Sequence, residues 1–418
     1  MNYSHLKEGA SCNLTLNLNK ITMAKQPIRK RIAEANHIDT VKSEYTLVID
    51  GCNLLKIALS DKRMNNKGES YGGIYVFLKK LGDVLSKKDF NYCVVCWDGI
   101  GSGVLRCRIY SDYKANRDKR YDLYESASQT AYDKGIADYC KKVLAYSHSK
   151  KQETQRGETD DESFDRQKAI LQSILEELCI RQFEYEDCEG DDLISNYIIN
   201  KNDNEKIVIV SSDKDLTQLI SDKVVIFNPR TKEFITKDNS VEKLGIRHDN
   251  IVTEKILCGD ASDNIKGIKG VGEATLLKFF PQLRENHVTV EFITEQAKVL
   301  LEGRKQQKKP PLKVLDNIVN KVTDGSQGKD IYDINKNIID LSYPLLTEEA
   351  RASMSEEMHE PIDVTERELK NVYSIVKENG MRDLMEESRF GEILAPYGRI
   401  RMMEKRRFEE FVNNSKKS

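Results

Sequence analysis

Residues 207–220 read IVIVSSDKDLTQLI. Four branched apolar residues make a short buried strand. It runs straight into two acids, Asp213 and Asp215. Like charges this close repel, and burying them raises the cost unless something neutralises them. Two readings fit the stretch taken alone. The acids can cap the start of a helix, where free N–H groups and the helix dipole favour negative charge. Alternatively, they can share a metal ion. The rest of the chain has to decide.

Working outward, the same strand-then-helix grammar recurs. YTLVID (45–50) is an apolar strand followed by a helical NLLKIALS. YGGIYVFLKKLGDVL has apolar residues at helical spacing, and NYCVVCW is a second strand. After a polar, aromatic and charged stretch come a helix in AILQSILEELC, a strand in RQFEYED, a helix in DDLISNYIIN and a further strand in KVVIFNP. Strands alternating with helices predict an α/β domain with a mostly parallel central sheet covered on both sides. Beyond about residue 240 the pattern turns helical, with a glycine-rich turn near 267–272. Residues 302–313, EGRKQQKKPPLK, form a basic, proline-containing linker or loop. Residues 1–43 carry little apolar pattern and form a loosely attached extension. The end, from Tyr397, holds seven basic and three acidic residues and is taken as a basic C-terminal tail. The expected domains are therefore 1–43, an α/β domain over 44–240, a helical subdomain over 241–396 and the tail over 397–418.

The 418 residues carry 66 basic and 68 acidic side chains. Overall charge predicts no polyanion partner, so any basic surface must be local. No apolar run approaches a membrane span, and no continuous apolar h-region stands at the N-terminus. Nine cysteines, mostly in apolar runs, indicate a reduced, cytoplasmic protein. Cys93 and Cys96 form C-x-x-C, but no second pair or histidine cluster accompanies them. On a strand they point to opposite faces, so they read as core residues rather than zinc ligands.

Each clear strand ends in acid: Asp50, Asp98, then Glu189, Asp191 and Asp192, then Asp213 and Asp215. In an open α/β sheet the strand carboxyl ends line one edge, where ligands bind. One such acid is ordinary capping; acids at four consecutive strand ends call for cations. Hard oxygen donors select Mg²⁺ or Mn²⁺ over zinc. A two-ion site, with ions about 3.5–4 Å apart, suits phosphodiester hydrolysis. Beyond Asp98, Arg106, Arg108, Lys114, Arg117, Lys119 and Arg120 interleave with Tyr110, Tyr113 and Tyr121. That composition suits phosphates and bases, or simply a solvated helix face. Gly267, Gly270 and Gly272 permit a tight turn between helices whose free N–H groups suit a phosphate, with Asp263 just before it.

Together VIDGCNLL, CWDG, YKANRDKRY, EGDD, SSDKDLTQL and GDASDNIKGIKGVG resemble, in this order, the flap endonuclease/5′-nuclease superfamily over residues 45 to about 285. Where the family has EADD, this chain has Glu189-Gly190-Asp191-Asp192. Within the superfamily it looks most like the phage enzymes, the T-even ribonuclease H type in particular, and it carries no polymerase domain. The resemblance implies a PIN-like 5′-nuclease fold with a helical arch at about 100–165 and a helix–three-turn–helix motif. It implies that Asp50, Asp98, Glu189 and Asp191 hold a first Mg²⁺ (or Mn²⁺) ion. Asp213, Asp215 and Asp263 complete a second site, with Asp192 a further ligand or a brace, and Asp260 bracing the loop. Arg106 and Lys114, eight residues apart on nearby faces of a helix, would engage the scissile phosphate. Asp50 and Asp213 would serve catalysis directly. Tyr113 and Arg117 would guide the 5′ strand. Gly267, Lys269, Gly270 and Gly272 would grip duplex phosphates, with K⁺ at the turn. The implied partners are 5′-flap or RNA-primed duplex DNA and a single-strand-binding protein, for a monomer. The implied activity is 5′→3′ exonuclease, flap endonuclease and ribonuclease H. The rival readings are a PIN-type ribonuclease, which lacks the glycine-rich grip, and an inactive DNA-binding protein, which would have lost metal acids.

Overall fold

The computed structural model describes residues 44–116 and 160–416. The extension 1–43 and most of the expected arch, including Arg117, lie outside the described residues. Strand β1 (Glu44–Asp50) alternates its side chains between two buried faces. It is central in a six-stranded sheet with β2 (Tyr92–Cys96), β3 (Arg181–Phe183), β4 (Glu205–Val210), β5 (Val224–Asn228) and β6 (Glu233–Ile235). The order is β3-β2-β1-β4-β5-β6; the first five are parallel and β6 closes the edge antiparallel. Asp50 pairs with Cys96, and Ile49 with Val210. This register brings the carboxyl ends of β1, β2 and β4 level, as the sequence predicted.

One face of the sheet, with Leu47, Ile49, Val95 and Val208, packs under α1 (Gly51–Ala58), α2 (Gly72–Leu85) and a helix described from Asp160 to Glu177, α4. The other, with Val48, Cys96, Ile207 and Ile209, packs on α5 (Gly190–Asn200). Cys93 and Cys96 fall in these two separate layers, both buried and unbridged. Gly51 is required by a close approach: a Cβ there would stand 2.5 Å from the fully buried Trp97 ring. That contact holds the end of β2 against the turn leaving β1.

A second core is all helical. It joins α3 (Val104–Ile109) with α6 (Ser240–Leu244), α7 (Ile251–Cys258), α8 (Glu273–Phe279), α9 (Val290–Gln306), α10 (Lys313–Val319) and α11 (Ile331–Ile339). A short ladder of β7 (Gly259–Asp260) and β8 (Ile265–Lys266) links α7 to the glycine-rich turn.

The last helices return to the α/β core rather than extending the helical one. Met354 of α12 (Glu348–His359) packs beneath the sheet. Val372 and Val376 of α13 (Leu369–Glu378), Leu384 of α14 (Arg382–Met385), Ile393 and Leu394 of α15 (Glu387–Leu394), then Tyr397 and Ile400, pack above it. The stretch expected as a basic tail is an 18-residue helix, α16 (Gly398–Ser415), whose Arg407 guanidinium lies 3.9 Å from the centre of the Tyr92 ring. Tyr397 is completely buried and donates its hydroxyl to the Leu78 carbonyl at 2.8 Å. Tyr397→Ala is therefore expected to cost about 3–5 kcal/mol of stability. Thermal unfolding checks this, and an unchanged midpoint would contradict the packing.

Candidate active site

The carboxyl edge of the sheet opens into a cavity of about 400 Å³. Nine carboxylates and four lysines line it. Seven of the eight sequence-expected metal acids are there: Asp50, Asp98, Glu189, Asp191, Asp213, Asp215 and Asp263. Asp50 both caps α1, accepting from the Asn53 N–H at 2.9 Å, and takes the Ser211 hydroxyl at 2.8 Å. Asn53 in turn accepts from the Ser212 N–H and hydroxyl, both at 3.0 Å. The turns after β1 and β4 are thus tied together by side chains. Asp98 accepts from the Gly190 N–H at 2.8 Å. A Cβ on residue 190 would meet that Asp98 oxygen at 3.2 Å, so glycine gives the carboxylate room. Asp213 accepts from the Asp215 N–H at 2.9 Å. The question posed by residues 207–220 has a double answer: the acids of this edge hold turn backbone and also face one another.

Their electrostatics show the strain of that arrangement. Burial pushes Asp50 up to about 7, with the Asp98 and Asp213 charges adding to it. Asp191 rises well above the usual carboxylate range through burial and the charges of Asp213, Asp50, Asp98 and Asp215. Burial also lifts Asp215 to about 6, against the attraction of Lys255. Glu189 goes the other way. Burial opposes its charge, but Lys114 and Arg106, with hydrogen bonds from Lys114 and Tyr113, overcome this and hold it at about 2. Among the described residues no three such side chains are spaced as a ready metal cage. The donor chemistry nevertheless fits a hard divalent cation: carboxylate oxygens crowd one cavity, and Asp191 is disfavoured as an anion by four others.

An acid whose folded pKa stands above its unfolded one stabilises the fold while protonated. That advantage is full below about pH 4 and is lost as pH rises through 6 to 7. His248, which burial holds below its usual value, works in the opposite sense around pH 6. In EDTA the protein is therefore expected to lose a net ~1–3 kcal/mol between pH 5 and pH 8. Added Mg²⁺ should raise the melting midpoint more at pH 8 than at pH 5. Unfolding curves at the two pH values check both, and a rise in stability with pH would contradict the placement of Asp50, Asp191 and Asp215.

Several expected site residues are placed differently. Asp192 is 1% exposed and outside the cavity, paired with Arg106 and accepting from the Leu345 N–H at 2.9 Å. Arg106 is buried too. It bonds Asp192 and Glu189 and donates Nε to the Ile338 carbonyl at 2.8 Å, so it faces no solvent phosphate. Tyr113, 3% exposed, donates to Glu189 at 3.0 Å and lies 3.1 Å from Asp263; it braces carboxylates instead of a strand. Arg106 and Lys114 do not share a helix, because α3 ends at Ile109 and Lys114 sits in a turn with φ 52°. Lys114 does reach the cavity and contacts Glu189. The sequence reading missed Lys255, whose ammonium bridges Asp215 and Asp260. Its signal was a cation set among apolar residues in IVTEKILCGD. Asp260 also accepts from the Ser262 N–H and hydroxyl, at 2.8 and 2.6 Å, and braces the loop as expected. At the glycine-rich turn, Lys269 pairs with Asp324 at 2.8 Å and Gly270 adopts φ +79°. Gly267 packs directly on the Cys258 backbone, and Gly272 is exposed at the start of α8.

Residues 45–245 match the family described as 5′-3′ exonuclease, N-terminal resolvase-like domain. The chain is 29% identical over 214 residues to a 5′-3′ exonuclease of Aquifex aeolicus (strain VF5), covering 51% of this chain and 60% of that protein. It is 26% identical over 272 residues to a 5′-3′ exonuclease of Bacillus subtilis (strain 168), covering 62% and 75%. Against DNA polymerase I of the same bacterium it is 35% identical over 134 residues, which is 15% of that protein. Among solved structures, the T5 D15 protein co-crystallised with metal ions shares the fold, with a TM-score of 0.51 at 18% identity over 75% of this chain and 98% of that one. No helix among the described residues is long and apolar enough to cross a membrane. The stretch that matches the 5′-3′ exonuclease N-terminal, resolvase-like domain, residues 45–245, is also the stretch that carries Asp50, Asp98, Glu189, Asp191, Asp213 and Asp215 to the cavity.

Proposed function

We propose that the protein is a Mg²⁺-dependent, structure-specific 5′→3′ exonuclease and flap endonuclease, with ribonuclease H activity, that removes RNA primers or 5′ flaps from duplex DNA. The observation that carries this reading is the convergence on one cavity of six acids from four strand ends, joined by Asp263 from the β7–β8 turn, in a chain whose residues 45–245 match the exonuclease N-terminal domain. Asp50, Asp98, Glu189 and Asp191 would hold one ion; Asp213, Asp215 and Asp263 would hold a second, with Mn²⁺ an acceptable substitute. When bound, two such ions supply activation of water and charge neutralisation at a phosphodiester. The chain's own residues set the stage. Arg106 and Tyr113 fix the Glu189 carboxylate, and Lys255 fixes Asp215 against Asp260. Lys114, its side chain 23% exposed and in contact with Glu189, would meet a phosphate entering over that carboxylate. The turn at 267–272 would hold duplex backbone, with K⁺ there as an added aid. The exposed cations of α16 offer a surface for a single-strand-binding protein.

The test is cleavage of a 5′-flap duplex and an RNA-primed duplex, each labelled at either end, with Mg²⁺ or with EDTA. Short 5′ products that need Mg²⁺ support the reading, and the two substrates rank the activities. Tight flap binding without cleavage of either substrate would overturn it in favour of an inactive DNA-binding protein.

A further inference from the structure

From the last turn of α9 to the first residue of α10 the chain reads GRKQQKKPPLK, residues 303–313, with five cations and no acid. That is unusual in a chain whose basic and acidic residues nearly balance. In the helical core Lys269 pairs with Asp324 and Lys298 with Glu295, whereas no acid stands within this run to pair with its five cations. Arg304 and Lys305 have an ordinary explanation, since they lie in the last turn of α9, where the helix dipole favours cations. Lys308 and Lys309 follow just past that end, Lys313 opens α10 where the dipole disfavours a cation, and all three are exposed.

The segment is built, not loose. Lys309 N–H donates to the Arg304 carbonyl at 2.9 Å and Lys308 N–H to the Lys305 carbonyl at 3.0 Å. These are the paired bonds of a Schellman cap, with Lys308 in its left-handed position at φ 53°. Glycine is the usual occupant there, and a side chain costs about 1 kcal/mol or more in that conformation. Arg304 Nε then pins the Pro310 carbonyl at 2.9 Å, and Pro310-Pro311 stiffen the exit. Cations held on a stiff backbone lose less freedom when they engage a partner.

Their location names the partner. α10 begins beside the glycine-rich turn: the Val314 side chain would lie 3.9 Å from a Cβ on Gly270. Asn317 donates to the Lys269 carbonyl at 2.8 Å, and the Lys269 N–H donates to the Val322 carbonyl at 2.8 Å. The stiff basic loop therefore leads into a helix that starts next to the turn that would hold duplex backbone. We infer that Lys308, Lys309 and Lys313 form a second phosphate-binding surface, which continues the grip of the 267–272 turn along the same DNA duplex. This rests on the function proposed above, and it identifies duplex beyond the flap junction as part of the substrate.

The experiment compares the full-length protein with K308Q/K309Q/K313Q, and with K308R/K309R/K313R, which keeps the charge. Binding to a 5′-flap DNA with about 20 base pairs of duplex is measured over a range of KCl. The glutamine variant should bind about 10–100-fold more weakly at 0.1 M salt, with a salt slope about 2–3 smaller. Its single-turnover cleavage rate at saturating protein should equal that of the wild type, and the arginine variant should keep the wild-type slope. An unchanged slope in the glutamine variant overturns the inference, whatever the wild type cleaves. A wild type that cleaves nothing but loses slope in the variant removes the proposed activity and keeps the second surface.

Discussion

Asp191→Asn is expected to lower cleavage of a 5′-flap duplex by about 10³-fold or more while raising the melting midpoint of the metal-free protein. The two changes have one cause. Asp191 lies half-buried in the first turn of α5, with Asp213, Asp50, Asp98 and Asp215 all acting to keep it protonated. Asparagine keeps the size and removes the charge. The remaining acids then repel less, so the apo protein gains stability. The same change removes a donor for which a cation would compete, so Mg²⁺ should stabilise the variant less than the wild type. Cleavage assays and melting curves with EDTA or Mg²⁺ read all of this on one preparation. A variant that loses activity and also melts lower without metal would mean that Asp191 serves the fold rather than the site.

Arg106→Ala is expected to cost about 3–5 kcal/mol of stability, because it strands the buried Asp192 without its counter-charge and takes one of two cations from the buried Glu189. Arg106 is the shared counter-charge of Asp192 and Glu189, and its Nε also satisfies the Ile338 carbonyl of α11. One side chain thus ties the acidic sheet edge to the helical core. Lysine should rescue little, since a single ammonium cannot reproduce the planar fork on Asp192. The result separates two roles. A phosphate-binding arginine would lose cleavage and keep its melting midpoint; the buried arginine loses the midpoint first. Thermal unfolding of Arg106→Ala and Arg106→Lys beside their cleavage rates makes the distinction.

The sheet and its acid edge were legible because strand signals are local. Apolar runs such as VVIFN and the acids that follow IVIV are contiguous in sequence, and parallel register then aligns their ends. The roles of Arg106 and Tyr113 were not, because basic-aromatic composition does not say which side is buried. A finer signal was present: Val104, Cys107, Tyr110 and Tyr113 recur every third residue, and all four are buried in the helical core. Lys255 was missed because its partners, Asp215 and Asp260, flank it from two different elements. The stretch up to residue 396 is legible as helical and the stretch from Tyr397 reads only as a basic tail, and sequence periodicity shows an apolar face without showing which core receives it. Val372, Val376 and Ile400 could have joined either one; their packing against the α/β layer is a property of the whole chain.

That packing has a consequence for the order of events during synthesis. The hydroxyl of Tyr397 meets Leu78, and the guanidinium of Arg399 meets the carbonyl of Phe90, across more than 300 residues of intervening chain. One layer of the first domain therefore stays open until the last helices leave the ribosome. The early-made sheet must wait with apolar surface uncovered, and such intermediates fold slowly and aggregate readily. Nascent chains released before residue 400 should expose that face to chaperones, and chains released after it should not.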